Sequence, residues 1–378
     1  MKKVFLISAI LLGITLSLWG VYLFAFKEND IAKNQQAKEL AMKIPTSLLE
    51  KKQAKISPIS SEAVLGAVFD KKNEKVLYFS ATSGELWQVD SDGAKPVKIS
   101  STKIEGLVGA LWSPDATKVL TIFKKDNQKV FSFRGDVKKD GEQLDTNIDN
   151  VAWDGLGMKI SYKYYDQQTK KRSLSVADPN GENWQTLAQE IPFREVSLAS
   201  VPLSAVVSFW NFPQASQESL FQSVSLMGGE VKTILKGRFG ADYLWSPDGK
   251  RALVSSLINK DGKNITLGIV DTNGQYRDLN IPTIVSKCVW SFDSKLIYCG
   301  LPGGVPSGAI LPDDYQAKKF TTKDTFWKIN VGTASKERIV ELTEFKSDYD
   351  ASALFLSPVE DGLFFINRID GKLYKIII

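Results

Sequence analysis

The sequence contains no histidine, only two cysteines and no block of like charge. Every mechanism that needs imidazole as a base, proton shuttle or metal ligand is therefore excluded. Two cysteines are too few for a zinc site built from cysteine alone. The 48 basic and 43 acidic side chains give a net charge of +5 over 378 residues, which is too dilute to indicate a nucleic-acid partner.

The usual catalytic and cofactor motifs are also missing. The chain has no G-x-S-x-G nucleophile elbow, no Asp box of the form S-x-D-x-G-x-T-W, and no P-loop or dinucleotide-binding glycine pattern. These absences favour a protein that is not an enzyme and that binds no cofactor and no metal. A glycosidase needs only two carboxylates at a set separation, and 43 acidic residues leave that alternative open.

One apolar run near the start is long enough to cross a membrane. Residues 4–26 carry no charge and would span roughly 34 Å as a helix. This run exceeds the roughly 7–15 apolar residues of a cleaved signal peptide. We therefore expect a cytoplasmic tip at 1–3, an uncleaved transmembrane signal anchor at 4–26 and a partly helical stalk at 27–55. The rest would lie outside the cytoplasm, because long C-terminal domains translocate with little regard to flanking charge.

One sequence unit recurs along the remaining chain. Each copy has a short apolar strand, in most copies ending in an aromatic residue, then a tight polar turn and a second apolar strand. The clearest copies read ALWSPDATKVLTIF from Ala110, YLWSPDGKRALVSS from Tyr243 and CVWSFDSKLIYCG from Cys288. The anchor positions, separated by 43, 41, 46, 46, 45 and 66 residues, are Phe69, Trp112, Trp153, Ala199, Trp245, Trp290 and Leu356.

A second strand pair lies inside each unit, as the alternating residues of GELWQVDSDG from Gly84 indicate. Four strands in ~45 residues is the period of a β-propeller blade. The sequence therefore predicts an all-β fold, a propeller of seven four-stranded blades over residues 56–378. Residues 54–62 would supply a strand that completes the last blade and removes an exposed edge. An incomplete seventh unit on a six-bladed ring is the alternative.

The WSPDG-like turns resemble those of the TolB-like propeller family, whose blades carry this turn between their first and second strands. The resemblance covers residues ~56–378 and implies the fold, while such propellers serve binding proteins and enzyme domains alike. The chain departs from TolB itself in its expected anchor, its lack of room for a separate N-terminal domain, and its seven units instead of six. The partner contacts of the family are therefore not transferred to this chain.

Two residue types recur at equivalent places in the units. An aspartate in a tight turn bonds its own backbone two residues on, which predicts a turn role instead of a metal site for Asp115, Asp248 and Asp293. A large ring once per blade fills the wedge between neighbouring sheets, which predicts a core role for Trp112, Trp153, Trp245 and Trp290.

The two cysteines flank one of these turns symmetrically. If residues 292–295 form the turn, Cys288 faces Cys299 across a strand pair, and directly opposed Cβ atoms lie about 4.5–5.5 Å apart. An extracytoplasmic location favours oxidation. A Cys288–Cys299 disulfide is therefore one prediction, and two free buried thiols are the alternative.

The irregular connections indicate a binding surface. In a propeller, the loops between second and third strands emerge on the same face as the connections between blades, opposite the WSPDG turns. Residues 164–168, 210–214 and the long loop 300–324 elaborate that face, and loops beyond ~12–15 residues are uncommon unless functional or disordered. The residues predicted to recognise a partner there are Tyr164, Tyr165, Trp210, Phe212, Asp313, Asp314, Tyr315, Lys318 and Lys319. The alternative is a long loop that merely plugs the ring opening.

These patterns together predict a single-pass, membrane-anchored propeller outside the cytoplasm. It would act as a non-catalytic protein-interaction or envelope-assembly scaffold, with a protein of the cell envelope as its partner. The alternative is a carbohydrate-binding or glycoside-cleaving propeller that uses a carboxylate pair.

Overall fold

The structure, a computed structural model, describes residues 54–100, 102–125 and 128–378. These residues consist almost entirely of strands and turns, which confirms the all-β prediction. The expected tip (1–3) and transmembrane segment (4–26) lie outside the described residues, as does the stalk apart from residues 54 and 55. Within the described part, no helix has both the length and the hydropathy to span a bilayer.

The strands follow one another along the chain with short connections, apart from the long loop between β21 and β22. The first thirteen are β1 (Ile56–Asp70), β2 (Lys75–Ser80), β3 (Leu86–Asp90), β4 (Val97–Ser100), β5 (Leu107–Trp112), β6 (Val119–Lys125), β7 (Gln128–Arg134), β8 (Glu142–Gln143), β9 (Ile148–Trp153), β10 (Ile160–Tyr165), β11 (Arg172–Ala177), β12 (Gln185–Ala188) and β13 (Val196–Val201). The others are β14 (Val206–Asn211), β15 (Glu218–Ser225), β16 (Lys232–Trp245), β17 (Arg251–Leu257), β18 (Ile265–Asp271), β19 (Tyr276–Ile281), β20 (Cys288–Trp290), β21 (Leu296–Gly303), β22 (Lys323–Asn330), β23 (Lys336–Arg338), β24 (Ala351–Leu356), β25 (Gly362–Asn367) and β26 (Lys372–Ile377). The helical elements are α1 (Asp313–Gln316) and two 3-10 turns, Val285–Lys287 and Leu342–Glu344.

The strands pair antiparallel into sheets of consecutive strands. Three sheets have four strands, and two have seven because the long strands β1 and β16 pair on both sides. The first half of β1 pairs with β26 and its second half with β2, while β16 bridges β15 and β17 in the same way. The four-stranded groups are group 1 (second half of β1 with β2–β4), group 2 (β5–β8), group 3 (β9–β12), group 4 (β13–β15 with the first half of β16), group 5 (second half of β16 with β17–β19), group 6 (β20–β23) and group 7 (β24–β26 with the first half of β1).

The first strands of neighbouring groups lie side by side. β1 contacts β5 and β24, β9 contacts β5 and β13, and β13 contacts β16. β16 contacts the 3-10 turn that precedes β20, and β20 contacts β24. This circular order is that of a β-propeller, in which sheets radiate from a shared centre with their first strands innermost.

Tryptophans at the ends of first strands join each group to the one before it. Each indole lies in an apolar wedge and still needs a partner for its N–H. The Nε1 donors and their acceptors are Trp112 and Gly66 O (2.6 Å), Trp153 and Leu111 O (2.9 Å), Trp245 and Ser208 Oγ (2.8 Å), and Trp290 and Leu244 O (3.1 Å). Three of the rings are buried and Trp112 is half-buried, so the predicted core role is confirmed.

The tight turns after three first strands share one hydrogen-bonded arrangement. In each, a serine hydroxyl donates to an aspartate Oδ1 at 2.5–2.6 Å. The same oxygen accepts the backbone N–H two residues further on, at 3.0–3.2 Å, as predicted for aspartate in a turn. The pairs are Ser113–Asp115, Ser246–Asp248 and Ser291–Asp293.

Cys288 and Cys299 lie opposite each other in the β20–β21 pair. In the structure the two buried sulfur atoms form a disulfide. We expect reduction of the purified, unfolded chain to raise its mass by that of two hydrogen atoms, because each sulfur gains one. Intact mass spectrometry measures this directly, and the double variant Cys288→Ser, Cys299→Ser should show no change. An unchanged mass for the native chain would mean that both thiols are free.

Candidate functional site

The loops between second and third strands lie beside the connections between groups. Gln167, in the β10–β11 loop, donates through Nε2 to Oδ1 of Asn147 in the β8–β9 connection at 2.9 Å. The N–H of Tyr165 donates to the carbonyl oxygen of Asn147 at 3.0 Å. We call this side of the domain the loop face.

A cavity with a volume of about 700 Å³ lies on the loop face. It lies between groups 3 and 4, reaches β7 of group 2, and is called the loop-face cavity. Its described lining includes four cations and two carboxylates, an excess of two positive charges that favours an anionic ligand. These residues are Lys129, Lys163, Arg172, Arg194, Asp149 and Glu195.

Lys163 is the most deeply buried of these charged side chains. It is 1% exposed, and its Nζ lies 2.6 Å from Oδ2 of Asp149. The same Nζ donates to the carbonyl oxygen of Arg194. A buried ammonium needs such partners, because an unpaired buried charge is costly. Lys163 therefore holds the segment before β13, and with it Arg194, against β9.

Aromatic rings border the same cavity. The guanidinium carbon of Arg172 lies 5.0 Å from the centre of the Tyr165 ring, an arrangement that favours one orientation of the cation. Phe212 is 37% exposed and lines the cavity from group 4. Two of the predicted recognition residues, Tyr165 and Phe212, therefore line the same cavity. Its cations were not predicted from the sequence.

A smaller cavity of about 320 Å³, the inner cavity, lies at the starts of first strands in groups 5 and 7. It is lined by Asp242, Tyr315, Lys318 and Arg368, among others. Oδ1 of Asp242 accepts hydrogen bonds from Nε1 of Trp210 at 2.9 Å and from the N–H of Tyr243 at 3.1 Å. Burial nevertheless raises the pKa of Asp242 to about 6, because these bonds only partly offset the desolvation of its charged form.

A buried ionic cluster lies next to the inner cavity. Nζ of Lys287 lies 2.6 Å from Oδ2 of Asp324 and 2.7 Å from Oδ1 of Asp350, and none of the three side chains is more than 1% exposed. The hydroxyl of Tyr315 donates to Asp350 at 2.6 Å. Arg368 donates to the carbonyl oxygen of Tyr315 at 2.9 Å and lies over its ring at 3.8 Å. The cluster therefore ties the long loop to groups 6 and 7.

The cluster moves the pKa values of its members in different directions. Burial alone would raise the pKa of Asp350, but hydrogen bonds from Lys287 and Tyr315 outweigh it and lower that pKa. Burial raises the pKa of Asp324 despite the nearby ammonium. Burial and the bond to Asp350 raise the pKa of Tyr315, so its hydroxyl remains a hydrogen-bond donor.

Two of the predicted rim aromatics are buried, so the prediction that they face a partner is wrong. Trp210 is 3% exposed and packs edge-on against Tyr243, with 5.3 Å between ring centres. Tyr315 is 6% exposed and packs in an apolar cluster with Leu311 and Ile284. The polar atom of each ring reaches a carboxylate below the surface, which lets the whole ring leave water.

Some of the other predicted residues stabilise the long loop, and others are exposed or half-buried. Asp313 accepts the N–H of Ala215 at 2.7 Å, and Asp314 pairs with Lys319 at 2.6 Å. These bonds hold α1 and its flanks in place, so both carboxylates are engaged within the chain. Lys318 is exposed at the inner cavity. Tyr164 is half-buried, away from the loop-face cavity, and its hydroxyl accepts from Asn147 Nδ2 at 3.3 Å.

Lys163, Asp242 and Lys287 are functional-site residues that were not predicted from the sequence. Each lies in or next to an apolar strand segment: ISYKYY, ADYLW and IVSKCVW. A charged residue within such a segment is a usable signal, because burial of a charge demands a partner elsewhere in the chain.

No protein-family model matches the sequence, and no curated protein matches it. Among solved structures, the chain is similar to an oligogalacturonate lyase from Vibrio parahaemolyticus, with a TM-score of 0.63 and 11% identity over 87% of this chain and 95% of the lyase. It is similar to a GH74 enzyme from Niastella koreensis, with a TM-score of 0.56 and 10% identity over 85% of this chain and 53% of the enzyme. TolB from Acinetobacter baumannii matches with a TM-score of 0.46 and 13% identity over 72% of this chain and 61% of TolB. At such identities the likeness to the lyase and to the GH74 enzyme concerns the fold alone.

Proposed function

We propose that the chain is a seven-bladed, membrane-anchored propeller that binds an acidic segment of an envelope protein in the loop-face cavity and catalyses no reaction. The observation that carries this proposal is the excess of cations in a cavity of about 700 Å³ bordered by Tyr165 and Phe212. Arginine presents a planar fork of donors that matches carboxylates. An acidic peptide would satisfy Arg172 and Arg194 and bury its apolar groups against the two rings.

The blade count and the anchor belong to the same proposal. The pairing of β1 with β26 and the circular contacts of the first strands support seven blades. The uncharged residues 4–26 support an anchor by their length. A Cys288–Cys299 disulfide is in keeping with an extracytoplasmic domain.

The double variant Arg172→Gln, Arg194→Gln is expected to bind a fluorescent deca-glutamate peptide at least about tenfold more weakly than the native chain. Hydrogen bonds to charged groups contribute about 1.5–3 kcal/mol each, and 1.4 kcal/mol is about tenfold in affinity. Fluorescence anisotropy measures the affinity, and added salt should weaken native binding.

A matched control has the same charge change at Lys260→Gln and Lys263→Gln, which are exposed on the β17–β18 loop outside the cavity lining. This control should bind like the native chain. Equal losses in the two double variants would show unspecific attraction to positive charge, and the proposed site would be discarded. A photo-crosslinking residue at position 212 of the anchored chain would then identify the native partner.

One observation favours a second function. Asp149 and Glu195 line the same cavity, and cleavage of a glycoside needs two carboxylates. Polygalacturonate is a suitable probe, because it is a polyanion and oligogalacturonate appears in the name of one structural neighbour. New reducing ends that disappear in Glu195→Gln would support the enzyme, whereas binding without cleavage would support the scaffold.

A further inference from the structure

A cavity of about 630 Å³ lies on the side of the ring, between groups 2 and 3. We call it the side cleft. β8, the fourth strand of group 2, has only two residues, whereas the fourth strands of the other groups have at least three. Group 2 therefore leaves the outer part of the facing sheet uncovered.

The face of group 3 that is directed towards group 2 carries hydroxyl groups. Tyr162 pairs with Ser175, Ser175 with Thr186, and Tyr164 with Ser173. Directly paired residues point to the same face of a sheet, so these side chains all lie towards the cleft; Tyr164, Ser173 and Thr186 are half-buried, whereas Tyr162 and Ser175 are buried beneath them. The opposite face is apolar and packs on group 4 through Leu174, Val176 and Leu187.

The rim of the cleft has a large exposed aromatic ring. Trp184, just before β12, is 65% exposed, although tryptophan is usually well buried. Hydrogen-bonding side chains accompany it in the lining: Asn180, Gln189 and Asp145. An exposed aromatic ring next to several hydrogen-bond donors and acceptors can bind one ligand through both apolar and polar contacts.

We propose that the side cleft binds a neutral oligosaccharide. A pyranose ring has a face of C–H groups that stacks on an aromatic plane, and a rim of hydroxyls that donate and accept hydrogen bonds. The indole of Trp184 would supply the plane, while the half-buried Ser173 and Thr186 would supply hydroxyl partners.

The charge of the cleft favours a neutral sugar over an acidic one. The charged residues of its lining are Asp145, Asp166 and Lys171. The Nζ of Lys171 already lies 3.0 Å from a carboxylate oxygen of Glu190. The lining therefore has no excess of positive charge for a uronate or sulfate. This site is separate from the loop-face cavity, and its proposal goes beyond the proposed function.

The proposal is tested by titrating the full chain with four neutral hexasaccharides: cellohexaose, maltohexaose, xylohexaose and N-acetyl-chitohexaose. The chain is held in lipid nanodiscs, because sugar-based detergents would compete for the cleft. Isothermal titration calorimetry should show binding of at least one hexasaccharide with a Kd below about 1 mM. Trp184→Ala should weaken this binding at least tenfold, while Trp184→Phe, which keeps an aromatic plane, should lose less.

Met227→Ala is the matched control, because Met227 is also highly exposed, at 81%, and lies in the β15–β16 turn outside the cleft lining. It should leave sugar affinity unchanged. Trp184→Ala should still bind deca-glutamate like the native chain, which separates this proposal from the loop-face cavity. Absence of binding by all four sugars, or native affinity in Trp184→Ala, would overturn the proposal.

Discussion

Lys287→Met is expected to lower the free energy of unfolding by about 3–5 kcal/mol at pH 7, the usual cost of removing one partner from a buried ion pair. Asp324 and Asp350 would keep their charges without the ammonium that lies 2.6 and 2.7 Å away. Methionine fills a similar volume, so the loss measures electrostatics more than packing. Urea unfolding followed by tryptophan fluorescence gives the difference.

The destabilisation by Lys287→Met should shrink as the pH falls towards 4. Protonation removes the uncompensated charge of the two aspartates, and the burial that raises the pKa of Asp324 favours this step. Lys295→Met is the matched control, because Lys295 is exposed and its Nζ lies no closer than 3.6 Å to the carboxylate of Asp293. This variant should change the free energy of unfolding by less than about 0.5 kcal/mol. A loss below about 1 kcal/mol in Lys287→Met would mean that water reaches the cluster.

The local part of the fold was predictable from the sequence because it depends on neighbouring residues. The strand–turn–strand unit fixes which residues pair: a turn at 292–295 makes Cys288 the partner of Cys299, as the β20–β21 register has it. The turn aspartates and the indoles of the first strands follow the same repeat. In each case the partner lies within the unit or one repeat away.

The burial of Trp210 and Tyr315 was not predictable in this way. Their partners Asp242 and Asp350 lie 32 and 35 residues further along the chain, on other groups. An aromatic side chain near a strand end, such as Trp210, or in a loop helix, such as Tyr315, can face outwards or inwards, and the distant carboxylate decides which. The same reason applies to Lys163, whose bond to Arg194 spans 31 residues.

The candidate site was predictable only as a face of the molecule. Strand order dictates that the connections at 164–168 and 210–214 emerge together, and Tyr165 and Phe212 do border one cavity. Lys163 is paired with Asp149, so the excess of positive charge comes from Lys129, Arg172 and Arg194 against Glu195. Lys129 and Arg172 lie at strand starts and Arg194 lies in a connection, so no short motif contains them.

Asp242→Asn is expected to raise the free energy of unfolding by about 2–3 kcal/mol at pH 7.5. The native carboxyl has a pKa of about 6 in the folded chain against about 3.9 when unfolded, and each unit corresponds to about 1.4 kcal/mol. Between pH 4 and 6 the folded state therefore holds a proton that the unfolded state has lost. The contribution of this carboxyl to the free energy of unfolding is therefore full below pH 4, is lost as the pH rises to 6, and does not change above that. Asparagine keeps the acceptor for Trp210 and Tyr243 and carries no charge at any pH.

The difference between the Asp242→Asn and native stability curves isolates this group, because other carboxyls titrate equally in both chains. That difference should be near zero below pH 4 and reach its plateau above pH 6. Asp92→Asn is the matched control, because Asp92 is an exposed turn residue that accepts the N–H of Ala94 at 2.9 Å; the same curve in both variants would show that the effect is not specific to Asp242. If Asp242→Asn is no more stable than the native chain at pH 7.5, the ionised carboxylate must be solvated through the inner cavity. In that case Asp242 would be negatively charged towards a ligand in the inner cavity near Arg368 and Lys318. A stabilised Asp242→Asn variant would instead mean that the carboxyl of Asp242 is protonated below about pH 6 and can donate a hydrogen bond there.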